Sequence, residues 1–171
     1  MRVEDGEWFD VVDACDRVIG RETRSEVHRR KLRHRAVHII VFDSTGRCFL
    51  QKRSKEKDEF PGVWDSATAG HLDAGEAYDD AAVRELEEEL GLVLEKKNSL
   101  QPLFKIDACE STGDEFVWVY RCLADGPFRL YPEEIERGEW FTVDVVDAWV
   151  KQNPEEFTSA FPLIWSRLKG C

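Results

Sequence analysis

Along the 171-residue chain the spacing of hydrophobic and polar positions changes several times, and each change predicts an element. Trp8 to Val12 and Val18 to Thr23 read as two short strands around a polar turn, a candidate hairpin over 8–23. A basic run follows. Val37 to Phe42 (VHIIVF) has the β-branched content of a buried strand, Ser44 to Arg47 reads as a turn, and Cys48 to Lys52 as the antiparallel partner. A loop from Ser54 to Trp64 carries Pro61 and Gly62. From Tyr78 the period becomes helical, with Ala82, Leu86 and Leu90 on one face, the buried one. Gly91 stops that helix, because glycine suits the left-handed position just past a helix end. Phe116 to Cys122 and Glu139 to Val143 read as strands, Val145 to Gln152 as a short helix, and Ser159 to Leu168 as a final helix with Pro162 tolerable in its first turn. Strands and helices interleave without repeats or a linker, which predicts an α/β sandwich forming one domain over 1–171.

The polar side of the central helix changes this picture from a fold to a chemistry. Glu85, Glu88 and Glu89 stand at i, i+3 and i+4, so their carboxylates gather within one turn. Three like charges so close repel unless a cation sits among them. Their hard oxygens favour magnesium, or manganese, over zinc, and magnesium commonly shares its shell with substrate phosphates. A run of glutamates is often no more than a solvated helix face. Such a face gives no reason for the glycine and glutamate at fixed distances upstream (Gly70, Glu76) or for the arginine beside the first carboxylate (Arg84).

Composition limits the partners. The net charge of −11 disfavours a general nucleic-acid or anionic-membrane surface and leaves small anionic substrates compatible with a local metal site. An apolar share of 42% supports an ordered core. The first ten residues lack the apolar run of a signal peptide, and no stretch has the length of a membrane helix, so a cytoplasmic protein is expected. Cys15, Cys48, Cys109, Cys122 and Cys171 are scattered without a metal-binding pair and are expected as reduced thiols.

The segment GHLDAGEAYDDAAVRELEEELGL, residues 70–92, resembles the Nudix box at all nine of its fixed positions: Gly70, Glu76, Arg84, Glu85, Leu86, Glu88, Glu89, Gly91 and Leu92. The resemblance implies the Nudix fold, a mixed β-sheet between α-helices, and a metal-dependent hydrolase of diphosphate bonds. It implies that Gly70 lends a backbone carbonyl to the metal beside Glu85, Glu88 and Glu89. Arg84 is read as the partner that orients a carboxylate, and Glu76 as a structural or outer partner.

Beyond the box, HRAVHIIVFDSTGRCFLQKRS and PGVWDSATAGH resemble the type 1 isopentenyl diphosphate isomerases and the bacterial Nudix hydrolases similar to them, a likeness covering about residues 8–168. It implies that Arg53 and Lys57 hold the substrate diphosphate, that His34 and His71 match metal-binding histidines, and that Glu115 matches an acidic residue serving metal and catalysis. The departures are specific. The isomerase's proton-moving cysteine falls at Ala69, a second acidic ligand at Gly113, and an upstream histidine at Val27, one residue short of His28. That second metal site therefore reads as incomplete, whereas the box is intact.

The expectation is water attack on phosphorus in a nucleoside diphosphate derivative or similar small diphosphate, with Glu115 as leading proton acceptor and Glu89 as rival. An isopentenyl diphosphate isomerase and a catalytically silent diphosphate-binding module are the alternatives. The basic residues His28 to Arg35 read mainly as structural, solvated or ion-paired, and most tryptophans as core, with Trp64 the best placed to meet substrate. A homodimer is a family-level expectation only.

Overall fold

A computed structural model describes residues 6–95 and 99–170; Met1 to Asp5 and the thiol of Cys171 lie outside the described residues. The chain opens with the expected hairpin, β1 (Trp8–Val12) and β2 (Val18–Thr23). The basic run is not merely solvated: it forms α1 (Arg24–Arg30), whose first turn is capped by the Thr23 hydroxyl accepting from the Glu26 N–H. Val27 is its one buried residue and packs with Phe9 and Val11 beneath the hairpin. One apolar position in seven residues is too little periodicity to predict a helix.

The body is a seven-stranded mixed sheet. It contains β3 (His34–Phe42), β4 (Cys48–Arg53), β5 (Trp64–Ser66), β6 (Thr68–His71), β7 (Leu100–Ile106), β8 (Glu115–Leu123) and β9 (Ile135–Phe141). The long buried strand β3 runs parallel to β8 over its whole length, from His34 opposite Glu115 to Phe42 opposite Leu123. β3 and β4 pair only at Val41–Phe49 and Phe42–Cys48 before they part, after which β6 lies along β3 and β5 along β4, while β9 pairs with the other edge of β4 from Cys48 to Arg53. A cleft therefore opens in the middle of the sheet.

Side-chain alternation along β3 builds two cores. Val37, Ile39 and Val41 face α2 (Tyr78–Leu90) with its buried Ala81, Ala82, Leu86 and Leu90, as the helical period predicts. Ala36, Ile40 and Phe42 face the opposite layer, α3 (Val143–Gln152) and α4 (Phe161–Lys169). Gly91 closes α2 with φ 64°, its N–H bonded to the Glu87 carbonyl.

Several boundaries differ from the pattern-based expectation. β7 was not anticipated, because Pro102 argues against a strand; it survives at the sheet edge, with a register shift between Pro102 and Phe104. β5 and β6 are too short for alternation to reveal. β9 begins at Ile135 rather than Glu139 and ends before Thr142, whose hydroxyl caps α3. Among the described residues Cys15, Cys48, Cys109 and Cys122 are free thiols, and no helix is long and apolar enough to cross a membrane.

Leu86 is fully buried between α2 and the sheet. Leu86→Ala should lower stability by about 2–5 kcal/mol in urea unfolding, with an unchanged denaturant slope.

Candidate active site

The carboxylates of α2 divide by depth. Glu85 and Glu89, one turn apart, are buried at 8% and 5% exposure, whereas Glu88 points outward. Buried carboxylates are costly unless paired, and Arg84 supplies the pairing. Its Nε and Nη2 reach the two oxygens of Glu76 at 2.8 Å each, a fork-on-fork pair. Nη1 bonds Glu85 at 2.7 Å and approaches Glu88 at 3.4 Å, and Nη2 also donates to the His71 carbonyl at 3.0 Å. Glu76 is held in turn by the Asp73 N–H at 2.9 Å. One guanidinium thus ties the loop before α2, the helix and the end of β6 together.

Gly70 lies against this group for a steric reason. A Cβ there would stand 2.2 Å from Cδ and Oε1 of Glu85, so only glycine lets the carboxylate lie on the strand. Glu89 accepts from Gln51 of β4 at 2.8 Å, and Gln51 also donates to the Ala67 carbonyl at 3.3 Å. Gln51 belongs to the site although no motif marked it; a buried polar side chain following Cys48, Phe49 and Leu50 on β4 was the one available signal. Burial pushes the Glu85 carboxyl up to about 7 against the opposing pull of Arg84. Burial, then the Glu85 charge, raises Glu89 well above the carboxylate range. Two buried carboxylates that resist ionising together, beside a glycine backbone, are a donor set that fits a hard divalent cation.

A cavity of about 480 Å³ runs from these carboxylates to a second cluster. There Glu115, at the start of β8, lies 2.7 Å from Nε2 of His71 and 3.3 Å from Nε2 of His34. His28 completes the group: one ring nitrogen from each of His28, His34 and His71 lies within 4.8 Å of the others. This closes one of the two expected gaps, since α1 turns Val27 into the hairpin core and His28 toward the cavity, while Gly113 still offers no carboxylate. Nδ1 of His34 is 2.8 Å from the Leu32 carbonyl, which can only accept, so Nδ1 carries a proton, and the Glu115 carboxylate beside Nε2 raises the proton affinity of the ring despite its burial. The Nε2 atoms of His28 and His34 are buried without a hydrogen-bond partner among the described residues. Glu115 is held far below the usual carboxylate range by the two imidazoles, which outweigh its burial.

Arg53 and Lys57 line the same cavity and are engaged within it. Arg53 donates to the carbonyls of Phe60 and Glu59 at 3.1 and 2.8 Å, shaping the loop after β4, and Lys57 pairs with Glu134, which sequence reasoning missed. Trp64 does not reach the cavity: it is buried, packed edge-on against Phe141 and Trp149, and the aromatic rings that do line the cavity include Phe9, Phe60 and Tyr131.

Comparison with known proteins agrees with this geometry. The NUDIX domain model matches residues 32–161. A Nudix hydrolase of Yersinia pestis is 36% identical over 143 residues, 83% of this chain and 76% of that protein. The isopentenyl-diphosphate Delta-isomerase of Serratia proteamaculans is 35% identical over 166 residues, 95% of this chain and 91% of that protein. Among solved structures, the DR0079 protein of Deinococcus radiodurans superposes with a TM-score of 0.83 at 27% identity, covering 94% of this chain and 98% of that one.

Two substitutions test the network. Gly70→Ala should displace Glu85 and cost about 1–3 kcal/mol in thermal or chemical unfolding. Arg84→Ala, which strands Glu76 and Glu85, should cost about 3 kcal/mol by the same measurement.

Proposed function

Because the chain belongs to the Nudix family, we propose that it is a metal-dependent, cytoplasmic hydrolase. Its substrate is a nucleoside diphosphate derivative or a similar small diphosphate, cleaved at the phosphoanhydride by water attack on phosphorus. The observation that carries this reading is the Glu85 carboxylate lying on the Gly70 backbone and bonded by Arg84, with Glu88 and Glu89 lining the same cavity. Glu85, Glu88, Glu89 and the Gly70 carbonyl would hold magnesium, or manganese. When bound, such an ion neutralises phosphate charge and makes a bound water more acidic.

The protein's own groups supply the rest. Arg84 and Glu76 act as positioning residues. Arg53 and Lys57 are the cations within reach of the outer phosphate oxygens, with Lys57 exchanging Glu134 for phosphate. The water's proton needs a carboxylate acceptor. The two candidates are Glu115, the leading one, whose carboxylate lies beside His71 and His34, and Glu89, which would also ligate the metal.

Isomerisation of isopentenyl diphosphate is the second reading. The gathering of His28, His34, His71 and Glu115 favours it, since this set would suit a softer, nitrogen-preferring cation. Ala69 opposes it, because no thiol stands there to move a proton on and off carbon. The intact carboxylate set likewise argues against a silent binding module.

Release of phosphate or monophosphate from nucleoside diphosphate derivatives, dinucleotides, nucleotide sugars and isopentenyl diphosphate, with magnesium, manganese or chelator, tests the reading. Cleavage that requires metal is expected; isomerisation without cleavage would reverse the two readings. Glu88→Gln should abolish metal-dependent turnover while circular dichroism and unfolding stay unchanged, since it removes charge and not volume. Burial raises the proton affinity of both the Glu85 and Glu89 carboxyls, that of Glu85 up to about 7, and a protonated carboxyl is a poor ligand. Magnesium binding should therefore release protons, and its apparent affinity should weaken as pH falls from 8 through 7, measured calorimetrically in two buffers of different ionisation enthalpy.

A further inference from the structure

The cavity floor holds a hydrogen-bonding system that diphosphate hydrolysis does not use. His38, on β3, is 5% exposed and sits opposite Ala69 in the β3–β6 register, one residue from Gly70. Its ring lines the cavity with Ala36, Ala69 and Ala160, whose small side chains leave room above it. Nδ1 is 2.7 Å from the Ser66 hydroxyl oxygen. Behind Ser66 is Asp65, 2% exposed, whose Oδ1 accepts the Ser66 N–H at 2.7 Å and lies 3.4 Å from the Ser66 hydroxyl. The other charged group near Asp65 is Arg53, at 3.9 Å.

This relay determines which nitrogen faces the cavity bare. Oδ1 of Asp65, which can only accept, lies near both the Ser66 hydroxyl at 3.4 Å and His38 Nδ1 at 3.5 Å, a setting that favours the ring proton on Nδ1 with the Ser66 oxygen accepting from it. In the neutral ring, Nε2 is left as a lone-pair acceptor with no protein hydrogen-bond partner among the described residues. Thr158, 5% exposed, lines the same cavity, and its hydroxyl also lacks a hydrogen-bond partner among the described residues. A buried acceptor covered by hydrocarbon loses its water and gains nothing.

We propose that His38 is a specificity-determining residue that accepts a hydrogen bond from a hydroxyl on the substrate's organic group, so that the site takes diphosphates of hydroxylated groups, such as sugars or polyols, over diphosphates of hydrocarbon chains. The inference rests on the hydrolase reading for the diphosphate end and adds the chemistry of the other end. Adjacent strands are separated by about 5 Å, so the hydroxyl lies within a few bonds of the diphosphate that Gly70 and the α2 carboxylates receive.

The test is equilibrium binding to the full chain with calcium replacing magnesium. The probes are a matched pair, isopentenyl diphosphate and 3-hydroxy-3-methylbutyl diphosphate, together with ADP-ribose. The wild type should bind the hydroxylated member and ADP-ribose about tenfold to a hundredfold more tightly than isopentenyl diphosphate. His38→Phe, which keeps bulk but removes the acceptor, should erase that ratio, and His38→Asn, with an amide oxygen, should recover part of it. If His38→Phe fails to fold, His38→Ser replaces it, since its hydroxyl falls short of the cavity. Equal wild-type affinities for the matched pair overturn the inference alone, as does a variant that weakens all three probes by the same factor. Failure of every probe to bind the metal-loaded wild type overturns the hydrolase reading and this inference with it.

Discussion

The site depends on one arginine. Arg84 offers a planar fork of donors, and its partners come from three places that the chain must bring together: Glu76 in the loop before α2, Glu85 and Glu88 on the helix, and the His71 carbonyl at the end of β6. Without that charge, the buried Glu85 would lose its bonded cation, beside a Glu89 that Gln51 and, more distantly, Lys57 answer. The arginine makes their burial tolerable without neutralising them both, leaving an uncompensated negative pocket beside the Gly70 backbone. Folding and the proposed cation binding would thus draw on the same electrostatic imbalance.

The sheet gives that imbalance an opening. If β3 and β4 stayed paired, Gly70 and Gln51 would have no gap to face. Because they part after two residue pairs, β6 and β5 take up their free edges, and the glutamates of α2 reach in between. The alternation of β3 then gives the cleft two characters. Val37, Ile39 and Val41 seat the helix, while His34, Ala36 and His38 on the other face supply imidazoles and space. The parallel register with β8 puts Glu115 beside His34, and β6 adds His71. A carboxylate-rich end and an imidazole-rich end therefore share one cavity, consistent with a likeness to both hydrolases and isomerases and with the limited guidance that fold gives about reaction.

The α2 segment was legible in the sequence because local rules govern it. A helical period puts Leu86 and Leu90 inward, Gly91 ends the helix, and the spacing from Gly70 to Glu89 repeats a known pattern. The β3 strand and the hairpin were legible for the same reason, their side chains following a period of two. Where one local rule opposed the outcome, as Pro102 did in β7, the reading failed, because an edge position forgave the missing donor.

What tertiary structure alone decided is which side chains from distant segments meet. Sequence spacing set His28 one residue out of register with the likeness that marked His34 and His71; a short helix with a single buried valine moved it into the cluster. Gln51, Glu134 and His38 carry no motif, and they matter because β4, the segment before β9 and β3 converge on the α2 carboxylates. Trp64 carried the signal of a substrate-stacking ring and instead fills the core beside α3. A sequence determines its helix and strand periods because neighbours along the chain enforce them. The pairing of charges and lone pairs across a cleft depends on strand register and on where two strands part, and only the folded chain specifies those.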